Sequence, residues 1–427
     1  MAKILLQDVH LIDPNSKFHD QIVSILVENG AIKQISQSKL TADQDTQLIA
    51  EEGLYVSPGW VDTHVQLSDP GYEYKESLES LSKAAVKGGF TTLLAYPNTS
   101  PVIDNAHMVD SLKQRTQGLP VNIRLAGSIT QGAEGKELAE MYDMHQHGAL
   151  AFTDGSHPLQ HAGLVQRALL YTQSFDGLLI QYPTDQNLTK GGQMHEGEVS
   201  TKLGMKGIPA IAESMGAVRD LHLQKYVGGR IHFHPVTTAE AIASIEHSKL
   251  EKGEVSMGTN ITYLAHQDED LVEYDTHYKL SPPLRDQREV DAIIEAIKIG
   301  QITVLATGHQ AQGIEEKKLQ FENAEAGILG LQTAFSIAYD KLVAAGHISL
   351  SRLIELISHE GRRLLGLPAA TIEEDGLAEL TVFAPNTDWT LNPSQIPSRA
   401  KNSPYLGQKL SGKVFGIIQN GKFHSAN

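Results

Sequence analysis

The sequence predicts an α/β protein: a (β/α)8 barrel of the TIM type, with a small composite β-sandwich domain formed by the two ends of the chain. Three observations support this prediction. Strand and helix patterns alternate eight times in the middle of the chain, and strand-like runs dominate both ends. The length of 427 residues also suits a barrel of roughly 250 residues plus a smaller module.

Eight short apolar runs define the predicted barrel, and each is followed by a helical pattern such as Tyr74–Lys87 or Val290–Ile299. A barrel of this kind places its chemistry at the carboxyl ends of its strands, so those ends are where functional side chains are expected. The eight predicted strands are Trp60–Leu67, Phe90–Tyr96, Val121–Gly127, Ala149–Asp154, Gly177–Tyr182, Arg230–Pro235, Val255–Asn260 and Ile302–Thr307.

The chain ends predict β structure with tight hairpins. Asn29-Gly30 interrupts one pair of apolar runs and Asn420-Gly421 interrupts another, and this dipeptide is a strong signal for a two-residue hairpin turn. We therefore expect residues 1–56 to form the N-terminal part of a β domain and residues 57–345 the barrel. Residues 346–427 are expected to hold terminal helices and the C-terminal part of the β domain.

Composition excludes several classes of function. The net charge of −16 disfavours nucleic acid and anionic membrane surfaces as partners. The chain has no cysteine, which excludes disulfides, thiolate nucleophiles and cysteine-ligated zinc. The apolar run at the N-terminus is too short for a signal peptide, and no run is long enough to span a bilayer. A cytoplasmic protein is expected.

Two motifs carry a resemblance to a known family. PGWVDTHVQLSDPG and GGFTTLLAYPNTSPV resemble PGFVDxHxHLRxPG and GGFTTxxxMPNTxPV, the opening patterns of the dihydroorotase branch of the amidohydrolase superfamily. The likeness continues to the C-terminus. It implies a zinc-dependent cyclic amide hydrolase, with a β domain built from both termini.

The positions that would carry this chemistry are largely changed. The resemblance places the second histidine of a zinc-binding pair at Gln66, the arginine that holds the substrate carboxylate at Ser68, and the general base at Gly308. The full set of altered positions is Gln66, Ser68, Tyr182, Pro235, Ser281, Gly308 and Gln312. Two vestigial metal ligands, His64 and Asp154, and three side chains of the substrate pocket, Asn98, Arg285 and His309, are retained.

Two retained ligands are fewer than the three that a hydrolytic zinc site usually takes from the protein. The sequence thus predicts a degenerate dihydroorotase without a cofactor, which has lost its zinc site and its catalytic activity. The resemblance is strongest to inactive homologues that partner aspartate transcarbamoylase. It implies a structural or regulatory role in pyrimidine biosynthesis, with the catalytic chain of that enzyme as partner and with this chain as a homodimer in a larger assembly.

A second interpretation keeps the chain an enzyme. An active dihydroorotase, or another cyclic amidohydrolase, could have rebuilt its site around a single metal ion held by His232, His234 or His309. Against this, His234 lies one residue from the ligand position, and a shift of one residue on a strand turns a side chain to the opposite face.

Overall fold

The computed structural model describes residues 3–249 and 254–426. Its strands are β1 Lys3–Leu11, β2 Gln21–Glu28, β3 Ala31–Ser36, β4 Thr46–Ile49, β5 Tyr55–Pro58, β6 Trp60–Gln66, β7 Phe90–Tyr96, β8 Asn122–Gly127, β9 Ala149–Phe152, β10 Leu178–Gln181, β11 Met194–His195, β12 Gly207–Ile208, β13 Arg230–Phe233, β14 Val255–Asn260, β15 Val304–Ala306, β16 Leu380–Thr390, β17 Lys409–Gln419 and β18 Lys422–Ser425.

The helices mostly follow the barrel strands. They are α1 Leu78–Gly88, α2 Ala106–Arg115, α3 Met141–His147, α4 Ala162–Thr172, α5 Gln186–Thr189, α6 Glu198–Leu203, α7 Ile211–Val227, α8 Ala239–Lys249, α9 Gln287–Lys298, α10 Ile314–Lys317, α11 Ala334–Ala338, α12 Leu350–Ile354 and α13 Glu360–Leu364. The first begins later than its sequence pattern because Ser77 caps it, accepting a hydrogen bond from the Ser80 amide.

The barrel is a parallel sheet in the order β15-β14-β13-β10-β9-β8-β7-β6. It closes where Val65 pairs with His309 and the Gln66 amide donates to the His309 carbonyl at 2.9 Å. All eight predicted strands are confirmed, two with the predicted bounds and six with shifted ends. The sixth ends at Phe233, so His234 and Pro235 lie beyond it. The barrel prediction is therefore confirmed.

The β domain joins the two ends of the chain in one sheet, in the order β18-β17-β16-β5-β1-β2-β3, with β4 paired to β1. Strand β5 is the link, because it runs parallel to β1 and antiparallel to β16. Both predicted hairpin turns are confirmed. Asn29 and Gly30 have φ values of 52° and 83°, and Asn420 and Gly421 have 52° and 72°, as a type I′ turn requires.

A cluster of buried aromatic rings joins the barrel to the sheet. Trp60 at the start of β6 lies 4.9 Å from Phe335 and 5.4 Å from Phe383, measured between ring centroids. Phe383 belongs to β16 of the sheet, and Trp60 is fully buried. The two parts of the molecule thus share one apolar core at this junction.

Residues 183–211 form an excursion above the barrel, as their length predicts, and contain α5, α6 and the short pair β11 and β12. Among the described residues, no helix combines the length and the apolar character needed to cross a membrane. The proposed domain boundaries at residues 56 and 345 remain predictions.

Candidate active site

Three side chains meet at the carboxyl ends of barrel strands. His64 lies near the end of β6, Asn260 is the last residue of β14, and His234 directly follows β13. One ring nitrogen of each histidine contacts the same atom, Asn260 Oδ1, at 3.2 Å from His64 Nδ1 and 2.8 Å from His234 Nε2. The two imidazole rings are 5.0 Å apart and nearly perpendicular. We call these three residues the mouth cluster.

Burial keeps both imidazoles of the mouth cluster neutral. It lowers the pKa of His64 to about 4. It also lowers the pKa of His234 well below its ordinary value, and the neighbouring His64 and His232 lower it further. His234 Nδ1 is buried and has no hydrogen-bond partner among the described residues. Neutral imidazole is the form that binds metal ions.

The orientation of His234 differs from the expectation. Strand β13 ends at Phe233, and the His234 amide donates to the Gln181 carbonyl at 2.9 Å. The alternation of side chains along a strand therefore no longer governs residue 234, and its ring faces His64 across the barrel mouth. His234 therefore belongs to the site, contrary to the expectation that it would face away.

The other two histidines of the single-metal hypothesis are engaged elsewhere. His232 Nδ1 is 2.8 Å from Ser256 Oγ. His309 Nε2 lies 3.0 Å from Glu76 Oε2, and its Nδ1 accepts the Leu331 amide at 3.3 Å. His309 is thus a buried structural group that links the eighth strand to the loop after the first.

Asp154, the second vestigial ligand, is held by the preceding loop. Its Oδ1 accepts the amides of Ile129 and Thr130 at 2.8 and 3.0 Å, and its Oδ2 accepts the Thr130 hydroxyl. Burial raises the pKa of this carboxyl. Both carboxylate oxygens of Asp154 therefore bond to the Ile129–Thr130 segment rather than to the mouth cluster.

Gly308 and Asn260 depend on each other. A Cβ atom at Gly308 would lie 2.4 Å from Asn260 Nδ2, and Gly308 has a φ of 62°. A side chain at 308 and the present position of Asn260 therefore exclude each other. Asn260 was not among the predicted site residues, although its place at the end of a predicted strand was the signal that could have identified it.

The remaining altered positions near the first strand make ordinary polar contacts. Gln66 Nε2 donates to the Asn98 carbonyl at 3.1 Å, and Asn98 Nδ2 donates to the Asp154 carbonyl at 2.9 Å. Ser68 is buried, and Gln312 accepts a hydrogen bond from Lys75 Nζ at 2.8 Å. These contacts join the loops after neighbouring strands.

A second part of the mouth is a cavity of about 210 Å³ beyond β10 and β13. Tyr182 and Ser281 line it, and their hydroxyl oxygens are 3.0 Å apart. Burial raises the pKa of Tyr182 to about 12, so its phenol stays protonated. We call this space the hydroxyl cavity.

The wall of the hydroxyl cavity contains a buried ion pair. Arg285 Nη2 lies 3.2 Å from Glu213 Oε2, and Arg285 Nε donates to Thr237 Oγ1 at 3.0 Å. Glu213 also accepts the amides of Thr237 and Thr238 at 2.7 and 2.9 Å. The charges compensate each other, so the cavity wall is polar without a net charge. No sequence motif had indicated Glu213.

The side chains of the mouth cluster are of types that can bind a metal ion. The described residues contain no group of three or more His, Cys, Asp or Glu side chains placed to hold a metal ion. In the mouth cluster, His64 Nδ1 and His234 Nε2 both contact Asn260 Oδ1, and the unpartnered Nδ1 of His234 keeps a lone pair that a cation can use. Imidazole and amide oxygen are both known ligands of divalent cations.

The barrel, its composite β domain and the polar cluster at its mouth define a protein of the amidohydrolase type. The match to the family model described as dihydro-orotase-like covers residues 53–241. The dihydroorotase of Geobacter metallireducens is 37% identical and that of Syntrophus aciditrophicus 36% identical, and each alignment covers 98% of both chains. The chain therefore belongs to the dihydroorotase-like family.

Solved structures agree on the fold. The L-hydantoinase (dihydropyrimidinase) from Arthrobacter aurescens superposes with a TM-score of 0.84 at 23% identity, covering 100% of this chain and 96% of that one. The D-hydantoinase from a Thermus species gives a TM-score of 0.82 at 19% identity, covering 99% of this chain and 96% of that one. At these identities the likeness concerns the fold alone.

These relatives correct two predictions. The prediction of a non-catalytic chain is wrong, because relatives named dihydroorotase match it from end to end. The prediction that the chain takes no cofactor is wrong for the same reason, since zinc chemistry is what the resemblance implies for this family. The aligned ligand positions do not include Asn260, and the expected orientation of His234 was wrong. Folding brings both side chains beside His64.

Proposed function

We propose that the chain is a dihydroorotase or a related cyclic amidohydrolase that works with one metal ion. His64, His234 and Asn260 would hold the ion. The observation that carries this proposal is the convergence of two neutral imidazoles on Asn260 Oδ1 at the barrel mouth. When bound, a divalent ion supplies Lewis-acid chemistry that favours hydrolysis of an amide.

The chain itself contributes binding and orientation. The Tyr182 and Ser281 hydroxyls line the hydroxyl cavity, where they can bind the polar edge of a cyclic amide. The ion pair of Glu213 and Arg285 fixes the wall behind them. The excursion above the barrel supplies Thr189 and Ile208 to the same cavity.

The absence of a side chain at Gly308 should lower the turnover rate. A positioned general base contributes typically about 10²- to 10⁴-fold to catalysis. Since Gly308 offers no side chain at the position where the resemblance implies this base, we expect turnover slower by about that factor than in an enzyme with a carboxylate there.

The test is metal binding and turnover of the same preparation. Protein loaded with zinc, cobalt or manganese and freed of excess metal should hold about one equivalent per chain and should interconvert dihydroorotate and its ring-opened product above background. His64→Ala and His234→Ala should each lose both the metal and the activity, because a ligand is removed.

The matched control is His222→Ala, which removes an exposed histidine on α7 and should change neither readout. A metal content that stays near zero after loading, or that is the same in wild type and His64→Ala, contradicts the single-metal site. Bound metal without turnover of any cyclic amide would contradict the proposed activity, but it would still support a metal site at the mouth cluster.

We further propose that the chain assembles with the catalytic chain of aspartate transcarbamoylase, as a homodimer within a larger complex. The resemblance supports this partner. The exposure of Tyr226 and Leu377, each above 70%, leaves apolar surface available for an interface. Co-expression of both chains followed by size-exclusion chromatography should give a joint peak, and separate elution at micromolar concentration would contradict the partnership.

A further inference from the structure

A large cavity lies beside the barrel mouth and outside both the mouth cluster and the hydroxyl cavity. Its volume is about 1000 Å³. Its walls come from the loop after β6, the segment after β14, the segment after β15 and the C-terminal segment before β17, and the mouth cluster does not line it. The lining residues that matter below are Tyr74, Ile314, Glu315, Glu316, Lys318 and Arg399.

Buried polar contacts hold these walls in place. The Gln312 amide donates to Asn402 Oδ1 at 3.0 Å, and Lys75 Nζ donates to Gln312 Oε1 at 2.8 Å. Lys317 Nζ donates to the carbonyls of Thr276 and Glu325, both at 2.8 Å. Gln312, Asn402 and Lys317 are each at most 5% exposed. These buried hydrogen bonds fix the positions of the segments that form the cavity walls.

The cavity is cationic although the chain as a whole carries a charge of −16. Lys318, Arg399 and Lys401 line it together with the two acids Glu315 and Glu316. Lys317 also lines it, but its lowered pKa of about 7 leaves it only partly protonated at neutral pH. Lys75 compensates Glu316 at 3.4 Å. A local concentration of positive charge on an acidic protein attracts small anions.

Two of these cations are free to bind a ligand. Lys318 and Arg399 are exposed at the rim, and neither has an ion-pair partner within the part of the chain that the structure describes. An arginine and a lysine on one rim suit a phosphate group, because guanidinium binds two phosphate oxygens at once and ammonium adds a compact charge.

The same cavity offers an apolar and aromatic surface. Tyr74 is 55% exposed and Ile314 is 74% exposed. The Tyr74 hydroxyl donates to Glu316 Oε1 at 2.8 Å, which anchors the ring at the cavity edge. Flat rings such as nucleic-acid bases stack on aromatic side chains.

We propose that this cavity is a nucleotide-binding site. Arg399 and Lys318 bind the phosphates, and Tyr74 and Ile314 receive the base. The volume is within the range of about 300–1,000 Å³ for small-molecule sites. The site is separate from the mouth cluster and does not depend on the proposed enzymatic activity, so the ligand is an effector or a second substrate rather than the cyclic amide.

Isothermal titration calorimetry of the full chain tests the proposal with three kinds of probe. UTP and ATP carry both the ring and the phosphates, uridine lacks the phosphates, and inorganic triphosphate lacks the ring. We expect at least one nucleotide to bind with a Kd below about 1 mM, and the two partial probes to bind at least about tenfold more weakly.

The variants locate the site. Arg399→Gln and Lys318→Gln should each weaken nucleotide binding about tenfold, because each removes a charge-assisted contact. Glu315→Gln should leave binding equal or tighter. Lys33→Gln, which removes an exposed lysine on β3, is the matched control and should have no effect. Absence of nucleotide binding, or binding that Arg399→Gln and Lys318→Gln leave unchanged, overturns the proposal. Triphosphate binding as tight as that of the nucleotide overturns the role given to Tyr74.

Discussion

At the scale of single residues, the most informative position is Gly308. Its backbone has a φ of 62°, and the space that a side chain would fill is taken by Asn260 Nδ2 at 2.4 Å. The glycine at 308 and the asparagine at 260 therefore form a pair. Restoring a carboxylate at 308 alone would displace Asn260 from the two histidines of the mouth cluster.

Gly308→Ala should lower the free energy of unfolding by about 2–4 kcal/mol. Roughly 1 kcal/mol comes from the positive φ, and about 1–3 kcal/mol comes from overpacking against Asn260. Urea denaturation measures the change.

Gly300→Ala is the matched control for Gly308→Ala. Gly300 also has a positive φ, of 82°, but open space where its Cβ would lie. It should therefore show only the backbone contribution. Equal losses for the two variants would show that the contact with Asn260 is unimportant.

Lys317 makes stability depend on pH. Burial, together with the charge of Lys279, lowers its pKa to about 7, although Asp275 and Glu325 act in the opposite direction. An unfolded lysine has a pKa of about 10.4. Between these values the unfolded chain binds a proton that the folded chain does not, so this group makes folding more favourable as pH rises from about 7 to about 10.

Lys317→Met should therefore flatten the pH dependence of the unfolding free energy between pH 7 and pH 10, apart from any loss of overall stability. The measurement is a series of urea denaturation curves across this range. Lys318→Met is the control, because its side chain is exposed, and it should keep the slope of the wild type. If Lys317→Met keeps the slope of the wild type, the lowered pKa of Lys317 is not the cause of this pH dependence.

At the scale of elements, the first turn of α7 is attached to the loop after β13 through Glu213. This carboxylate is 1% exposed and accepts the Thr237 and Thr238 amides as well as the Arg285 guanidinium. The position of Arg285, and with it one wall of the hydroxyl cavity, depends on this attachment.

Glu213→Gln should destabilise the protein by about 3–5 kcal/mol, because it leaves the buried Arg285 charge uncompensated. Thermal and urea unfolding measure the loss. Glu240→Gln on α8, where the side chain is exposed, should change stability by less than about 0.5 kcal/mol. A similarly small effect of Glu213→Gln would mean that the ion pair between Glu213 and Arg285 does not contribute to the stability of the protein.

At the scale of the whole molecule, the barrel and the β domain are joined through Trp60. Its ring packs on Phe335 and Phe383 and lies 5.9 Å from Phe90. Because strand β5 of the sheet leads directly into β6 of the barrel, we expect the two parts to unfold together.

Trp60→Ala should cost about 3–5 kcal/mol and weaken both parts at once. Circular dichroism and limited proteolysis should report one shifted transition. Leu377→Ala, at a residue 79% exposed near the sheet, should leave the transition in place. Two separate transitions in Trp60→Ala, with the barrel retained, would contradict the shared core.

The sequence by itself determined the eight barrel strands and the two hairpin turns. These features follow from local periodicity and from the dipeptides Asn29-Gly30 and Asn420-Gly421, which need no distant partner. The joining of both chain ends in one β domain was implied by the resemblance. The motif resemblance also identified the family. It did not identify the site, because a comparison of single aligned positions does not show which side chains meet in the folded chain.

Only the tertiary structure decided which polar groups meet. His64 and Asn260 are 196 residues apart in the chain, and His234 joins them because β13 ends one residue before it. Sequence patterns report the period of a strand but not the residue at which the strand ends, nor the side chain that fills the space beside a glycine. Those depend on closure of the barrel, which brings the ends of β6, β13 and β14 to one mouth.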